Sequence, residues 1–192
     1  MQDVAWEAFR AQGFPGLYPG DVVTTSHTTG WLGKAIRLAE SFGQGEPAER
    51  SHTMLYAGAG NVLSQNWHLE EQPLSDWAGA DLTFWHNPAW TRDEKAALVA
   101  HMRDHLGERY DWLGLVGQLG YSLTGWEWFR AHVQAPYLTY CSERVCTEIR
   151  RHRDPGFLAG YPNCQVTPDE IDRWCAAAGW RETRLNIRLD HQ

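Results

Sequence analysis

The chain has no apolar run approaching the ~18 residues of a membrane span. Its opening, Met1-Gln2-Asp3-Val4-Ala5-Trp6-Glu7, has neither the basic start nor the apolar stretch of a secretory signal. A cytoplasmic protein with no integral membrane segment is the expectation. Cysteine is sparse. The four residues, at 141, 146, 164 and 175, include no Cys-x2-Cys pair, which argues against structural zinc and, without a signal, against a disulfide framework. Cys146 and Cys175 are expected in the core. Positive charge is also short, with 17 Lys and Arg against 24 Asp and Glu and a net charge of -7. That balance argues against nucleic acid or an anionic membrane as partner, and Arg150-Arg151-His152-Arg153 reads as the end of a helix. Gly58-x-Gly60 lacks the third glycine of a dinucleotide loop and precedes a strand, so it reads as a hairpin turn. His101 and His105 stand four apart without the intervening Glu of a metalloprotease helix, and read as a solvated helix shoulder. No metal or other cofactor is expected, and there is no internal repeat or low-complexity tract.

What is present suits one compact domain over residues 1–192, with 43% apolar residues and a mean hydropathy of -0.52. Periodicity and turn chemistry predict helices near 3–12, 30–42, 91–106, 111–123, 126–133, 141–152 and 168–178, the last with Thr167 as N-cap and Glu170 closing a capping box. Strands are predicted at 21–25, in a hairpin over 52–68, and at 81–85. Helix and strand runs are segregated, which points to an α+β fold with an antiparallel sheet.

Two short motifs carry chemistry. Tyr140-Cys141-Ser142-Glu143 opens a predicted helix whose first turn is acidic and whose end is basic, so the Cys141 sulfur lies at the positive end of the helix dipole. A helix N-terminus and a nearby imidazole both lower a thiol's pKa, toward a range of about 3.5 to 7.5. The plain alternative is a buried structural cysteine. Ser51-His52 begins the predicted hairpin: His52 to Ala57 is one strand, Gly58-Ala59-Gly60-Asn61 the turn, and Val62 to Trp67 the return. A strand start holds an imidazole rigidly, and the returning strand can supply a polar residue to orient it. The plain alternative is a histidine bonded to backbone.

Eleven tryptophans are unusual. Most are expected to fill the core. Trp126-Glu127-Trp128-Phe129 cannot turn every ring inward on a helix, so Trp126 and Trp128, with Tyr140, are the candidate substrate wall beside Cys141.

Gly20-Asp21-Val22-Val23, Trp31 to Arg37, Ser51-His52, Val62-Leu63-Ser64, Leu106 to Asp111 and Tyr140-Cys141-Ser142-Glu143 occur in an order that resembles the circularly permuted NlpC-type, papain-like cysteine peptidases. The likeness is greatest to the YiiX/YebB-like branch, related to the lecithin:retinol acyltransferase-like enzymes, and covers residues 18 to 175. It implies a small antiparallel sheet against helices, with the nucleophile at a helix N-terminus. Carried over by position, it implies Cys141 as nucleophile and His52 as base and later acid. The family's third residue, usually His or Glu, falls twelve positions after the histidine, on Ser64. A serine orients an imidazole more weakly than a carboxylate and cannot neutralise the imidazolium. Gln65, Asn66 and His68 are the neighbouring alternatives. The implied activity is cleavage of an amide bond in peptides, including cell-wall peptides, through a thioacyl-enzyme. An acyltransferase or thioesterase acting on lipid acyl groups, and a binding module without catalysis, are the alternatives.

Overall fold

The computed structural model describes residues 2–6, 15–26, 50–109, 111, 117, 120, 124–126, 128, 141–161 and 166–188. The helices expected at 30–42, 111–123 and 126–133, and the residues Tyr140 and Cys164, lie wholly or largely outside that set. The described strands are β1 (Gln2–Ala5), β2 (Val22–Thr25), β3 (His52–Gly58), β4 (Asn61–Gln65), β5 (Leu69–Pro73), β6 (Asp81–His86) and β7 (Arg181–Arg188). The described α-helices are α1 (Arg92–Arg103), α2 (Cys141–His152) and α3 (Pro168–Ala177), and a 3-10 turn spans Leu74–Trp77. The fold is α+β. None of these helices is long and apolar enough to cross a membrane.

The seven strands form one sheet in the order β1-β7-β6-β2-β3-β4-β5. Every pairing is antiparallel except β1 with β7, which is parallel, so the sheet is mixed and larger than expected. The helix predicted over residues 3–12 is corrected at its start, where residues 2–5 pair with Leu185 to Arg188. Backbone pairing with the open edge of β7 outweighs local helix propensity in so short a segment.

The sheet separates two apolar clusters. Val22, Leu55, Ala57, Leu63 and Trp85 meet Leu98, Met102, Val145, Cys146, Ile149, Ile171 and Cys175 from the three helices. Val23, Met54, Tyr56, Val62, Leu82 and Phe84 meet Leu74 and Trp77 on the opposite face. β3 is therefore buried on both sides along most of its length, rather than half-buried as its residues suggest. Strand alternation still governs it, with odd positions toward the helices and even positions away.

Local chemistry explains the landmarks. The β3–β4 turn takes left-handed backbone at Gly58, Ala59 and Gly60 (φ 91, 51 and 79°). Glycine accepts this at positions where a side chain is strained, and a Cβ at Gly58 would also sit 2.9 Å from Pro19 Cγ. Gly20 has φ 89°, and a Cβ there would lie 2.7 Å from Lys95 Cβ. The missing side chain lets α1 press on this loop and seats Lys95 Nζ 2.7 Å from the fully buried Asp21 Oδ1. Both α1 and α3 open with a complete capping box, Thr91 with Glu94 and Thr167 with Glu170.

Candidate active site

His52 is the first residue of β3, paired with Thr25 of β2. Its even position turns the imidazole to the face of Met54 and Tyr56, where it is half-buried. Ser64 pairs with Met54 on β4 and is fully buried on the same face. His52 Nε2 and Ser64 Oγ are 2.9 Å apart, a hydrogen bond. The ring also stacks on Trp77, with centroids 5.1 Å apart and planes 14° from parallel. One contact fixes the edge of the ring and the other its plane.

The neighbours of Ser64 are engaged elsewhere. Gln65 lies on the helix-covered face, where its Nε2 donates to the carbonyl of Glu108 at 3.1 Å. Asn66 Nδ2 donates to Gln72 Oε1 at 3.3 Å, and His68 lies 3.4 Å from Glu70. The structure thus brings Ser64 to His52, and gives these three other partners.

Cys141 is the first residue of α2 and is 4% exposed. Glu143 stands in the first turn, and Arg150, Arg151 and His152 in the last, the charge order that favours a helix dipole. Ser142 Oγ donates to the carbonyl of Val166 at 2.5 Å, tying the first turn of α2 to the approach of α3. Further along, Arg144 pairs with Glu108 and, at 3.3 Å, with the fully buried Glu148. Val145 and Ile149 seat α2 against the odd residues of β3, Leu55 and Ala57. α2 thus lies on the helix-covered face of the sheet, whereas the His52 ring lies with Trp77 on the other face, at the end of the sheet where β3 begins. Cys146 and Cys175 are buried as well, both fully enclosed in the core. Burial, reinforced by the charge of Asp172, pushes the Cys175 thiol well above its ordinary pKa.

The expected aromatic wall is described in part. Trp126 and Trp128 are 61% and 45% exposed and their rings stack at 5.6 Å. His101, read as part of a solvated shoulder, stacks on His152 at 3.8 Å, and His105 lies 2.5 Å from Glu108 and 3.6 Å from Glu148. Among the described residues no cluster has the geometry to hold a metal ion.

Two polar clusters were missed. In one, Lys95 Nζ lies 2.8 Å from His86 Nδ1 as well as against Asp21. Burial lowers the pKa of Lys95, although Asp21 works the other way. Burial likewise lowers that of His86, with Asp21 opposing and Lys95 adding to the effect. The other cluster surrounds Arg50, directly before Ser51-His52. Neither is signalled in sequence, because the partners lie on separate elements. Comparison of the whole chain with family models and with curated proteins finds no match.

Proposed function

We propose that this chain is a cysteine-dependent hydrolase of the permuted papain-like kind, cleaving an amide bond through a thioacyl-enzyme. The observation that carries the reading is the His52 imidazole, bonded to Ser64 at Nε2 and stacked on Trp77, in a fold that opens a helix with Cys141. A base held in edge and plane is pre-organised for proton transfer.

In the proposed cycle His52 Nδ1 takes the Cys141 proton, and the thiolate attacks the amide carbon to form a C–S bond. The oxyanion develops beside the backbone N–H of Cys141 at the start of α2, and collapses as the C–N bond breaks. The imidazolium returns its proton to the departing amine. Water then attacks the thioester with His52 again as base, releasing the acid and restoring the thiol. Ser64 orients the imidazole but cannot share its positive charge.

Small-molecule peptides, including cell-wall peptides, are the first substrate class. The exposed, stacked Trp126 and Trp128 support a second reading, a thioesterase or acyltransferase whose thioacyl-enzyme carries a lipid acyl group. Iodoacetamide at neutral pH should label Cys141 before Cys146, Cys164 or Cys175, and His52→Ala should slow that labelling. Equal labelling of all four thiols would overturn the reading. Fatty-acyl and peptidyl thiol-directed probes then separate the two substrate classes.

A further inference from the structure

Immediately behind His52 lies a polar network that the proposed chemistry does not use. Arg50 is 2% exposed, and its Nη2 donates to Thr83 Oγ1 on β6 at 2.6 Å. Its Nη1 lies 3.5 Å from Asp81 Oδ2, and its Nε 3.5 Å from Asp172 Oδ1 on α3. The Arg50 backbone N–H donates to Asp169 Oδ1, also on α3, at 2.8 Å. Asp172 Oδ1 in turn accepts from Thr24 Oγ1 at 2.5 Å and from Trp85 Nε1 at 2.7 Å. The guanidinium therefore ties the chain entering β3 to β6 and to the N-terminal half of α3, and through Asp172 to β2.

The position of this knot matters more than its size. Thr24, Thr83 and Trp85 are on the helix-covered face, so the Arg50 side chain is there too, whereas the His52 ring stacks on Trp77 on the other face. In a continuous strand, residues two apart share a face. Between Arg50 and His52 the chain must turn over, and only Ser51, whose N–H donates to the carbonyl of Thr25 at 2.8 Å, stands between them. The crossing is held on one side by the Arg50 network and on the other by the contacts of His52 itself.

We propose that Arg50, anchored by Asp81, Thr83 and Asp172 and through its own N–H by Asp169, is the positioning residue that sets where β3 begins and hence where the His52 imidazole stands. This rests on the Cys141–His52 reading above. Arg50 touches no reacting atom. Its effect travels through two peptide units to a ring whose use depends on placement at the ångström scale.

The test needs no substrate. The rate of Cys141 carbamidomethylation is followed from about pH 5 to pH 9, where a thiol paired with an imidazole keeps an acid limb that an isolated thiol lacks. Arg50→Met, with near-UV dichroism like that of the parent, should lose at least about tenfold in rate near pH 6 while its rate near pH 9 changes little. Arg50→Lys, which keeps the charge but loses the planar fork, should fall between. A folded Arg50→Met that retains the parent's profile overturns the proposal. Should Arg50→Met not fold, Asp172→Asn and Arg50→Lys carry the test, and parental profiles in both overturn it. A different failure, a parent without the acid limb or a limb unchanged in His52→Ala, removes the Cys141–His52 pair itself and the positioning role with it.

Discussion

The hydroxyl of Ser64 meets His52 Nε2 at 2.9 Å, and a hydroxyl carries no charge to set against an imidazolium. Such a bond contributes roughly 0.5 to 1.5 kcal/mol, so Ser64→Ala should lower turnover by about tenfold or less. Cys141→Ala should abolish it. Asn66→Ala and His68→Ala should leave it unchanged, because those side chains are engaged with Gln72 and Glu70. A thousandfold loss in a folded Ser64→Ala variant would assign the hydroxyl a larger part. Another residue-scale expectation concerns His86, whose pKa is lowered first by burial. The neutral ring is the form the fold accepts, so below the ordinary histidine value of about 6.5 the unfolded chain binds the extra proton more readily. Stability is therefore complete above that value and falls as the pH drops through the window between it and the lowered folded value. His86→Gln should flatten that limb in urea titrations taken at stepped pH. Lys95 has the same sign in its own alkaline window, since burial lowers its pKa too and stability rises with pH there. This cluster was not legible beforehand, as Asp21, His86 and Lys95 belong to a loop, a strand end and a helix, and nothing in their spacing joins them.

At the scale of elements, the best-read pieces were those with their signals built into a few consecutive residues. Thr167-Pro168-Asp169-Glu170 holds the capping oxygen, the fixed proline φ and the reciprocal carboxylate together, and α3 starts there. Thr167→Ala should cost about 1 kcal/mol, measured by denaturant unfolding at fixed pH. The β3–β4 hairpin was legible for the same reason, whereas the choice of Ser64 as the neighbour of His52 came from the family resemblance and not from the hairpin's own signals. β5 and β7 were not. Leu69-Glu70-Glu71-Gln72-Pro73 and Arg181 to Arg188 are rich in charged and polar residues, and they become strands because β4 and β6 offer them edges to pair with. The first residues failed in the opposite direction, reading as helix and folding as β1 on β7. Arg50 illustrates the limit for the site, since its carboxylate partners come from β6 and α3, far along the chain.

Across the whole molecule, His52 and Ser64 stand on strands with neighbours on both sides, while β1 and β5 are the edges. α2 is packed into the cluster shared by all three helices and the sheet. Amide hydrogens of β2, β3 and β6 should accordingly exchange last, close to the rate set by global unfolding, and those of β1 and β5 first. Exchange from β3 well ahead of β6, followed by mass spectrometry, would contradict that order. The double burial of β3 also has a consequence for how the protein ages. A site on an edge or a loop can fail while its scaffold persists, so that a sample loses potency long before it loses shape. Here the histidine stands on a strand with a neighbour on either side, so slow heating should extinguish the selective reactivity proposed for Cys141 and the circular dichroism of the fold at one temperature, leaving no dead but folded population to accumulate.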